Sequence, residues 1–146
     1  MGLFKKILVP VDGSRYSLNA VCLAARLGRI HGSELRIFHV IDETLLTQLA
    51  RFSDKQKDTV REELKSSAHA FLGDMRCEAH HEIVTTSEVI IREGVPHEVI
   101  LQEASSWGAD LIILGKLGRR GISQVLLGSV AERVIEFSEV PVLVVK

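Results

Sequence analysis

The sequence predicts an α/β domain built on an open five-stranded parallel sheet in the order 3-2-1-4-5, with helices on both faces. Short apolar segments alternate along the chain with longer segments of helical periodicity, as in βαβ units. The first and fourth apolar segments each end in a polar loop that contains glycine. Ligands of such sheets bind beyond the strand carboxyl ends, where the strand order reverses. If both loops contact one ligand, strands 1 and 4 must be neighbours.

The first strand and the first helix are bounded by local signals. Lys5 to Val11 is an apolar run that ends at the turn Asp12-Gly13-Ser14, in which Ser14 is placed to cap a helix. The segment from Arg15 to His31 predicts that helix, and Gly32 ends it. Its small and apolar residues at helical spacing are Ala20, Val21, Ala24, Ala25 and Gly28.

The next part of the chain carries weaker signals. Leu35 to Ile41 predicts the second strand, whereas Asp42 to Asp54 has little periodicity and is expected to form a loop. From Thr59 to Met75, apolar residues at helical spacing predict an amphipathic helix. Glu88 to Ile91 is strand-like and ends at Gly94, so it is interpreted as the third strand.

Two helices and two strands complete the predicted domain. Pro96 suits a helix start and Gly108 a helix end, and Leu111 to Leu114 is a short apolar run typical of a buried strand. Ser129, followed three residues later by Glu132, has the capping-box spacing of a helix amino terminus. The last helix is expected to end near Phe137, before a final apolar strand that starts at Val140-Pro141 and contains Val142–Val145.

The composition limits the possible functions. With 146 residues, 46% of them hydrophobic, the chain is expected to form one domain over residues 1–146. A net charge of −1 gives no general electrostatic reason for a nucleic acid or membrane partner. Cys22 and Cys77 are too few for a disulfide framework, and no apolar run is long enough to span a membrane. A cytoplasmic protein is therefore expected.

The loop after the fourth strand carries the most specific motif. Gly115, Gly118, Gly128 and Ser129 fit the spacing G-x2-G-x9-G-[S/T]. This spacing differs from the Walker A loop and from the dinucleotide-binding fingerprint. Glycines that lead into a helix amino terminus favour a phosphate site, because the first N–H groups of a helix have no partner within the helix.

Three cations lie in the same loop, namely Lys116, Arg119 and Arg120. They suit a di- or triphosphate, and the alternative is a solvated basic turn. Asp12 has two readings: a ligand contact, or an Asx turn that shapes the corner after the first strand. Ser129 is expected to cap the last helix while its N–H remains available to a phosphate. The six histidines show no metal-ligand spacing, and His39 is interpreted as structural.

Several segments along the chain form a recognisable set, namely Ile7 to Ser14, Phe38-His39-Val40, Gly94-Val95-Pro96, Ala109 to Gly115, the glycine motif and Pro141 to Val145. In these segments the whole chain resembles the universal stress protein family, in its nucleotide-binding type. The resemblance implies a Rossmann-like fold of the adenine nucleotide alpha hydrolase kind and a bound ATP or AMP. It also implies a homodimer formed through the last strand, Val142–Val145, whose apolar edge is otherwise uncovered.

The resemblance also assigns site residues. Val11 and Val40 would flank adenine, with Val40 contributing largely through its backbone, and Gly115 would lie by the ribose. Asp12 would face the ribose or the metal-phosphate end, where it is a possible contact for nucleotide-bound Mg²⁺. The residues implied for phosphate are Gly118, Gly128, Ser129 and Val130. Arg119 is added as a candidate phosphate contact from the charge of the loop and not from the resemblance. The chain departs from the family at Lys116-Leu117, where Ser-His is common; Lys116 adds a phosphate contact or partly fills the pocket.

The leading hypothesis is an ATP- or AMP-binding universal stress protein that acts as a nucleotide-dependent regulator of a stress response. Binding is expected to be the primary event, because no general base for phosphoryl transfer is evident. One alternative is a slow ATPase or autophosphorylating enzyme that uses Ser129 or Asp12. Another is a dimeric interaction module of the same fold whose pocket is occluded by Lys116 and Leu117.

Overall fold

The computed structural model describes residues 2–78, 87–116 and 127–146, and for residues 76–78 the backbone only. In this part of the chain, strands and helices alternate around one sheet. The strands are β1 Lys6–Pro10, β2 Glu34–Asp42, β3 Ser87–Gly94, β4 Leu111–Gly115 and β5 Val142–Val145. The helices are α1 Arg15–His31, α2 Glu43–Ser53, α3 Lys57–Glu78, α4 Pro96–Trp107 and α5 Ser129–Phe137.

The sheet has the predicted order and direction. Its strands follow the order β3-β2-β1-β4-β5, and every neighbouring pair is parallel. The predicted fold class is therefore confirmed. The order places the carboxyl ends of β1 and β4 side by side, so the loops that follow them meet at the same edge of the sheet.

Each face of the sheet buries its own apolar cluster. Helices α1 and α3 cover one face, where Ala24 and Leu72 pack on strand residues such as Val9. Helices α4 and α5 cover the other, where Ala104 and Val134 pack on Ile112 and its neighbours. The small residues predicted on α1 are all buried, so this helix lies close to the sheet.

The predicted loop from Asp42 to Asp54 is wrong, because the structure has helix α2 there. The carboxylate of Asp42 caps this helix by accepting a hydrogen bond from the Thr44 N–H at 2.9 Å. Leu46 is the one fully buried residue of α2, while Leu49 and Phe52 remain exposed. Apolar residues do recur here at helical spacing, from Leu45 to Phe52, but the pattern is too short to distinguish a helix from a loop in the sequence alone.

Among the helices of the described residues, none combines the length and the apolar character needed to cross a membrane.

Candidate functional site

A cavity of about 670 Å³ opens at the carboxyl end of the sheet. Its volume lies within the usual range for small-molecule sites. Residues from the ends of β1, β2 and β4, from the start of α5 and from α2 and α3 line it. These residues include Val11, Asp12, His39, Val40, Leu45, Leu49, Leu64, Phe71, Gly115, Lys116, Gly128, Ser129 and Val130. The strand order therefore brings the two predicted polar loops to one cavity.

The turn after β1 is built by short side-chain contacts. The Ser14 N–H donates to Asp12 Oδ1 at 2.9 Å, so Asp12 forms the Asx turn that its sequence context allowed. Ser14 caps α1 by accepting a hydrogen bond from the Ser17 N–H at 3.1 Å, as predicted. Gly13 has a φ of 86°, and a Cβ there would lie 3.1 Å from the ring of Phe71. These contacts fix the Asp12 backbone at the edge of the cavity.

The end of β4 is held against α1. A Cβ at Gly115 would lie 2.8 Å from the carbonyl carbon of Tyr16, so a side chain at this position would clash with the first turn of α1. The next residue, Lys116, donates its N–H to the Val145 carbonyl at 2.7 Å. Its own carbonyl accepts the Gly128 N–H at 2.8 Å. Gly115 and Gly128 are thus brought together although twelve residues separate them in the chain.

Helix α5 presents its amino terminus to the cavity. Its cap residue is Gly128, and no side chain caps it, so the predicted capping by Ser129 is wrong. Ser129 lies inside the first turn, where its side chain is exposed and cannot fold back as a cap. The first helical bond is the one from the Glu132 N–H to the Gly128 carbonyl, at 2.9 Å. The N–H groups of Ser129, Val130 and Ala131 precede it and lie among the cavity-lining residues.

Most of the predicted site residues meet in this cavity. Those that line it are Val11, Asp12, Val40, Gly115, Gly128, Ser129 and Val130. Gly118 and Arg119, like Leu117 and Arg120, lie outside the described residues. The charged side chains of the described lining are Asp12, Asp42 and Lys116. The described residues contain no cluster of three or more potential metal ligands.

The apolar part of the cavity was not identified from the sequence. Leu45 and Leu49 of α2, with Leu64 and Phe71 of α3, form part of the lining. Leu64 and Phe71 belong to the apolar residues that recur at helical spacing between Thr59 and Met75, but this periodicity does not indicate whether they line a cavity or a solid core. Leu45 and Leu49 were missed because their helix was not predicted.

An ion pair holds α3 beside the carboxyl end of β3. Arg61 Nε contacts Glu93 Oε1 at 2.6 Å, and its Nη1 contacts Asp58 at 2.6 Å. The hydrogen bond from Arg61 is the main cause that lowers the pKa of Glu93 below its ordinary value. The same bond raises the pKa of Arg61. Arg61 therefore links α3, which carries Leu64 and Phe71 of the apolar lining, to β3. Salt can screen this ion pair.

Known proteins resemble the chain over its whole length. Universal stress protein MJ0531 of Methanocaldococcus jannaschii is 35% identical over 144 residues, which cover 99% of this chain and 83% of that protein. The solved structure of protein MJ0577 of the same organism superposes with a TM-score of 0.84 at 33% identity, covering 99% of this chain and 96% of the other. A universal stress protein crystallised in complex with cAMP superposes with a TM-score of 0.72 at 25% identity, covering 97% and 96%.

The family model described as the Universal stress protein family matches residues 3–146. This range includes every strand and helix of the fold and every described residue that lines the cavity. Together with the relative that shares 35% identity, the match leads to one conclusion. The chain belongs to the universal stress protein family.

Proposed function

We propose that this protein binds an adenine nucleotide, ATP or AMP, in the cavity and acts as a nucleotide-dependent regulator of a stress response in the cytoplasm. The observation that carries the proposal is the uncapped amino terminus of α5, whose first N–H groups lie in the lining of a cavity of about 670 Å³. Such N–H groups and the helix dipole favour phosphate oxygens. The cAMP complex of a relative supports an adenine nucleotide as the ligand.

The proposed orientation follows the polarity of the cavity. The base lies between Val11 and the main chain of Val40, near the apolar lining from α2 and α3. The ribose lies by Asp12 and Gly115, and the phosphates lie at Gly128, Ser129 and Val130, with Gly118 and Arg119 as further contacts. Lys116 adds a positive charge at the phosphate end. Any Mg²⁺ is held by phosphate oxygens, with Asp12 as its protein contact.

Binding without rapid turnover suits the side chains of the lining. Asp12 accepts the Ser14 N–H and Asp42 accepts the Thr44 N–H, so each carboxylate has a role in a turn or a cap. A general base for water attack needs a carboxylate or imidazole aimed at the nucleophile. The proposed output of the site is therefore a nucleotide-bound state that a partner recognises.

The proposed assembly is a homodimer through β5. This strand lies at one edge of the sheet and pairs only with β4 among the described strands. Leu143 in the strand, and Ile135 and Phe137 in α5, are exposed apolar side chains. An unpaired apolar edge favours pairing with a second chain. Sedimentation analysis should give a dimer for the wild type and a monomer for Leu143→Lys; a monomeric wild type would refute this assembly.

The nucleotide proposal is tested with two substitutions at one residue. Proline is well tolerated at the first position of a helix, and Gly128 already has the extended backbone (φ −71°, ψ 156°) that suits a residue before proline. Ser129→Pro therefore removes one N–H with little effect on α5. Ser129→Ala keeps that N–H and is the matched control.

Isothermal titration calorimetry should give measurable ATP or AMP binding to the wild type and weaker binding of GTP. Ser129→Pro should weaken ATP binding about tenfold, the value of one good charge-assisted hydrogen bond, whereas Ser129→Ala should change it less than about twofold. The absence of nucleotide binding by the wild type, with and without magnesium, would refute the proposed function.

A further inference from the structure

The hydrogen-bond ladder between β1 and β2 stops one bond early. At its start, the Glu34 N–H donates to the Lys5 carbonyl at 2.8 Å. At its end, the Val11 N–H donates to the Phe38 carbonyl at 2.8 Å. In a regular parallel ladder, the next bond would run from the Val40 N–H to the Val11 carbonyl. That bond is absent from the described residues.

The side chain of His39 takes the place of the missing bond. Its Nδ1 lies 2.8 Å from the Val11 carbonyl oxygen. Since a carbonyl oxygen can only accept, Nδ1 carries a proton and donates it. The ring packs edge-to-face with Phe71, with 4.9 Å between ring centroids and an interplanar angle of 86°. Helix α3 thus helps to hold the imidazole over the carbonyl.

Without this ladder bond, the main-chain N–H of Val40 has no partner on β1. Main-chain groups alternate along a strand, and both Glu34 and Phe38 direct theirs towards β1. The N–H and C=O of Val40 therefore also point towards the β1 side of the strand. Because β1 has ended at Pro10, they face the cavity, which Val40 lines. A neighbouring donor and acceptor beside an apolar lining match the hydrogen-bonding edge of a purine base.

We propose that His39 is a positioning residue for the nucleotide base. By bonding to the Val11 carbonyl, the imidazole prevents Val40 from closing the ladder and keeps the Val40 N–H available to the base. His39 acts through Val11 and Val40 and need not touch the ligand. This inference rests on the proposed function and adds to it the residue that prepares the base subsite.

Two variants of His39 separate the hydrogen bond from the bulk of the ring. Asparagine places an amide N–H close to the position of Nδ1, so His39→Asn keeps the donor. His39→Leu keeps an apolar side chain of similar size against Phe71 but removes the donor. ATP and inorganic tripolyphosphate are the two probes, because tripolyphosphate lacks the base and reports the phosphate subsite alone.

Titration calorimetry should show ATP binding about tenfold weaker in His39→Leu and within about threefold of wild type in His39→Asn, a difference expected for one hydrogen bond. Tripolyphosphate binding should be the same in all three proteins. Equal ATP affinities for His39→Leu and wild type, equal losses in both variants, or a parallel loss of tripolyphosphate binding would each overturn the inference.

A measurement without nucleotide tests the same contact. Amide hydrogen exchange of the free wild type should be fast at Val40 and slow at Ile41, whose N–H faces β3 within the β2–β3 ladder. In His39→Leu the Val40 amide should become protected as it bonds to Val11. A protected Val40 amide in the wild type would overturn the inference. Failure of the wild type to bind ATP would instead refute the proposed function, and the two failures are thus distinguishable.

Discussion

The amino and carboxyl ends of the sheet differ in the partners of their polar groups. At the amino end, polar side chains pair with one another. Arg36 forms ion pairs with Glu88, at 2.9 Å, and with Glu103, and its guanidinium lies 4.4 Å from the centre of the Trp107 ring. Partial burial acts to lower the pKa of Arg36, but the hydrogen bonds with both glutamates outweigh it and raise the pKa. Asp110 accepts the N–H groups of the residues that open β1.

At the carboxyl end, main-chain groups face a cavity. The N–H groups of Val40, Ser129 and Val130 have no protein partner among the described residues, and the side chains around them shape turns rather than pair with them. Unpaired N–H groups are costly in a dry site but available to a ligand. The amino end thus stabilises the fold, whereas the carboxyl end leaves main-chain groups available to the proposed ligand. Four substitutions test this contrast.

The largest effect is expected at the amino end. Arg36→Met leaves Glu103, whose side chain is 11% exposed, without its cation. Breaking a partly buried pair in this way should lower the free energy of unfolding by about 2 to 3 kcal/mol, less than the loss of a fully buried pair. Chemical denaturation measures the loss, and the double variant Arg36→Met/Glu103→Leu should recover part of it. ATP affinity, measured at a temperature where the variant is folded, should be unchanged. A weaker affinity would show that the amino end of the sheet also affects nucleotide binding, against the contrast drawn above.

The second prediction concerns the close approach of β4 and α1. Gly115→Ala places a Cβ 2.8 Å from the Tyr16 backbone, which cannot move aside without shifting α1. Such overpacking should cost about 2 kcal/mol of unfolding free energy. Gly73→Ala is the matched control, because a Cβ there meets nothing within 4 Å and lies in a helix. The control should be stabilised, and an equally stable Gly115→Ala would contradict the packing described for this end.

A smaller effect should follow from Asp12→Asn. Asparagine keeps the oxygen that accepts the Ser14 N–H, so the turn and the stability should be preserved. The charge is lost, and with it the proposed contact to nucleotide-bound Mg²⁺. Calorimetry should show that magnesium no longer improves ATP affinity, a loss of about fivefold, close to 1 kcal/mol. If magnesium improved ATP affinity equally in the variant and the wild type, the proposed contact between Asp12 and nucleotide-bound Mg²⁺ would be refuted.

The smallest effect should come from Glu93→Gln, which breaks the ion pair between α3 and β3. Because the folded-state pKa of Glu93 is lowered, its contribution is present above the ordinary Glu pKa and lost as the pH falls through the lowered value. Thermal unfolding should show a variant about one or two degrees less stable than wild type at pH 7. The difference in thermal stability should vanish on acidification. A difference that persists at low pH would show that the variant loses packing contacts and not only the ion pair.

The sequence predicted the features that depend on local or repeated signals. Helix α1 has the predicted bounds, because Ser14 caps it and Gly32 ends it in the left-handed conformation. The strand order followed from two polar loops and the rule for parallel sheets. Helix α2 was missed because its apolar pattern, from Leu45 to Phe52, is short. The cap of α5 was misassigned because Ser129 has the capping-box spacing to Glu132, whereas the helix begins one residue earlier than that spacing implies and Gly128 is its cap.

The proposed role of His39 could not be predicted from the sequence. Its partner, the Val11 carbonyl, lies on another strand, and only the register of β1 against β2 reveals that a ladder bond has been replaced. The apolar lining from α2 and α3 likewise depends on how two helices pack over the sheet edge. Long-range geometry of this kind leaves no periodic trace in a single sequence.

Main-chain N–H groups at the carboxyl end of the sheet are proposed to bind the adenine nucleotide. Amide NMR during an ATP titration tests this proposal most directly, because every N–H reports for itself. Saturable shifts are expected at Val40, Ser129 and Val130, and none at Lys6 or Trp107 at the opposite end. Amides at Val40, Ser129 and Val130 that stay unchanged at millimolar ATP, or shifts confined to the amino end, would contradict it.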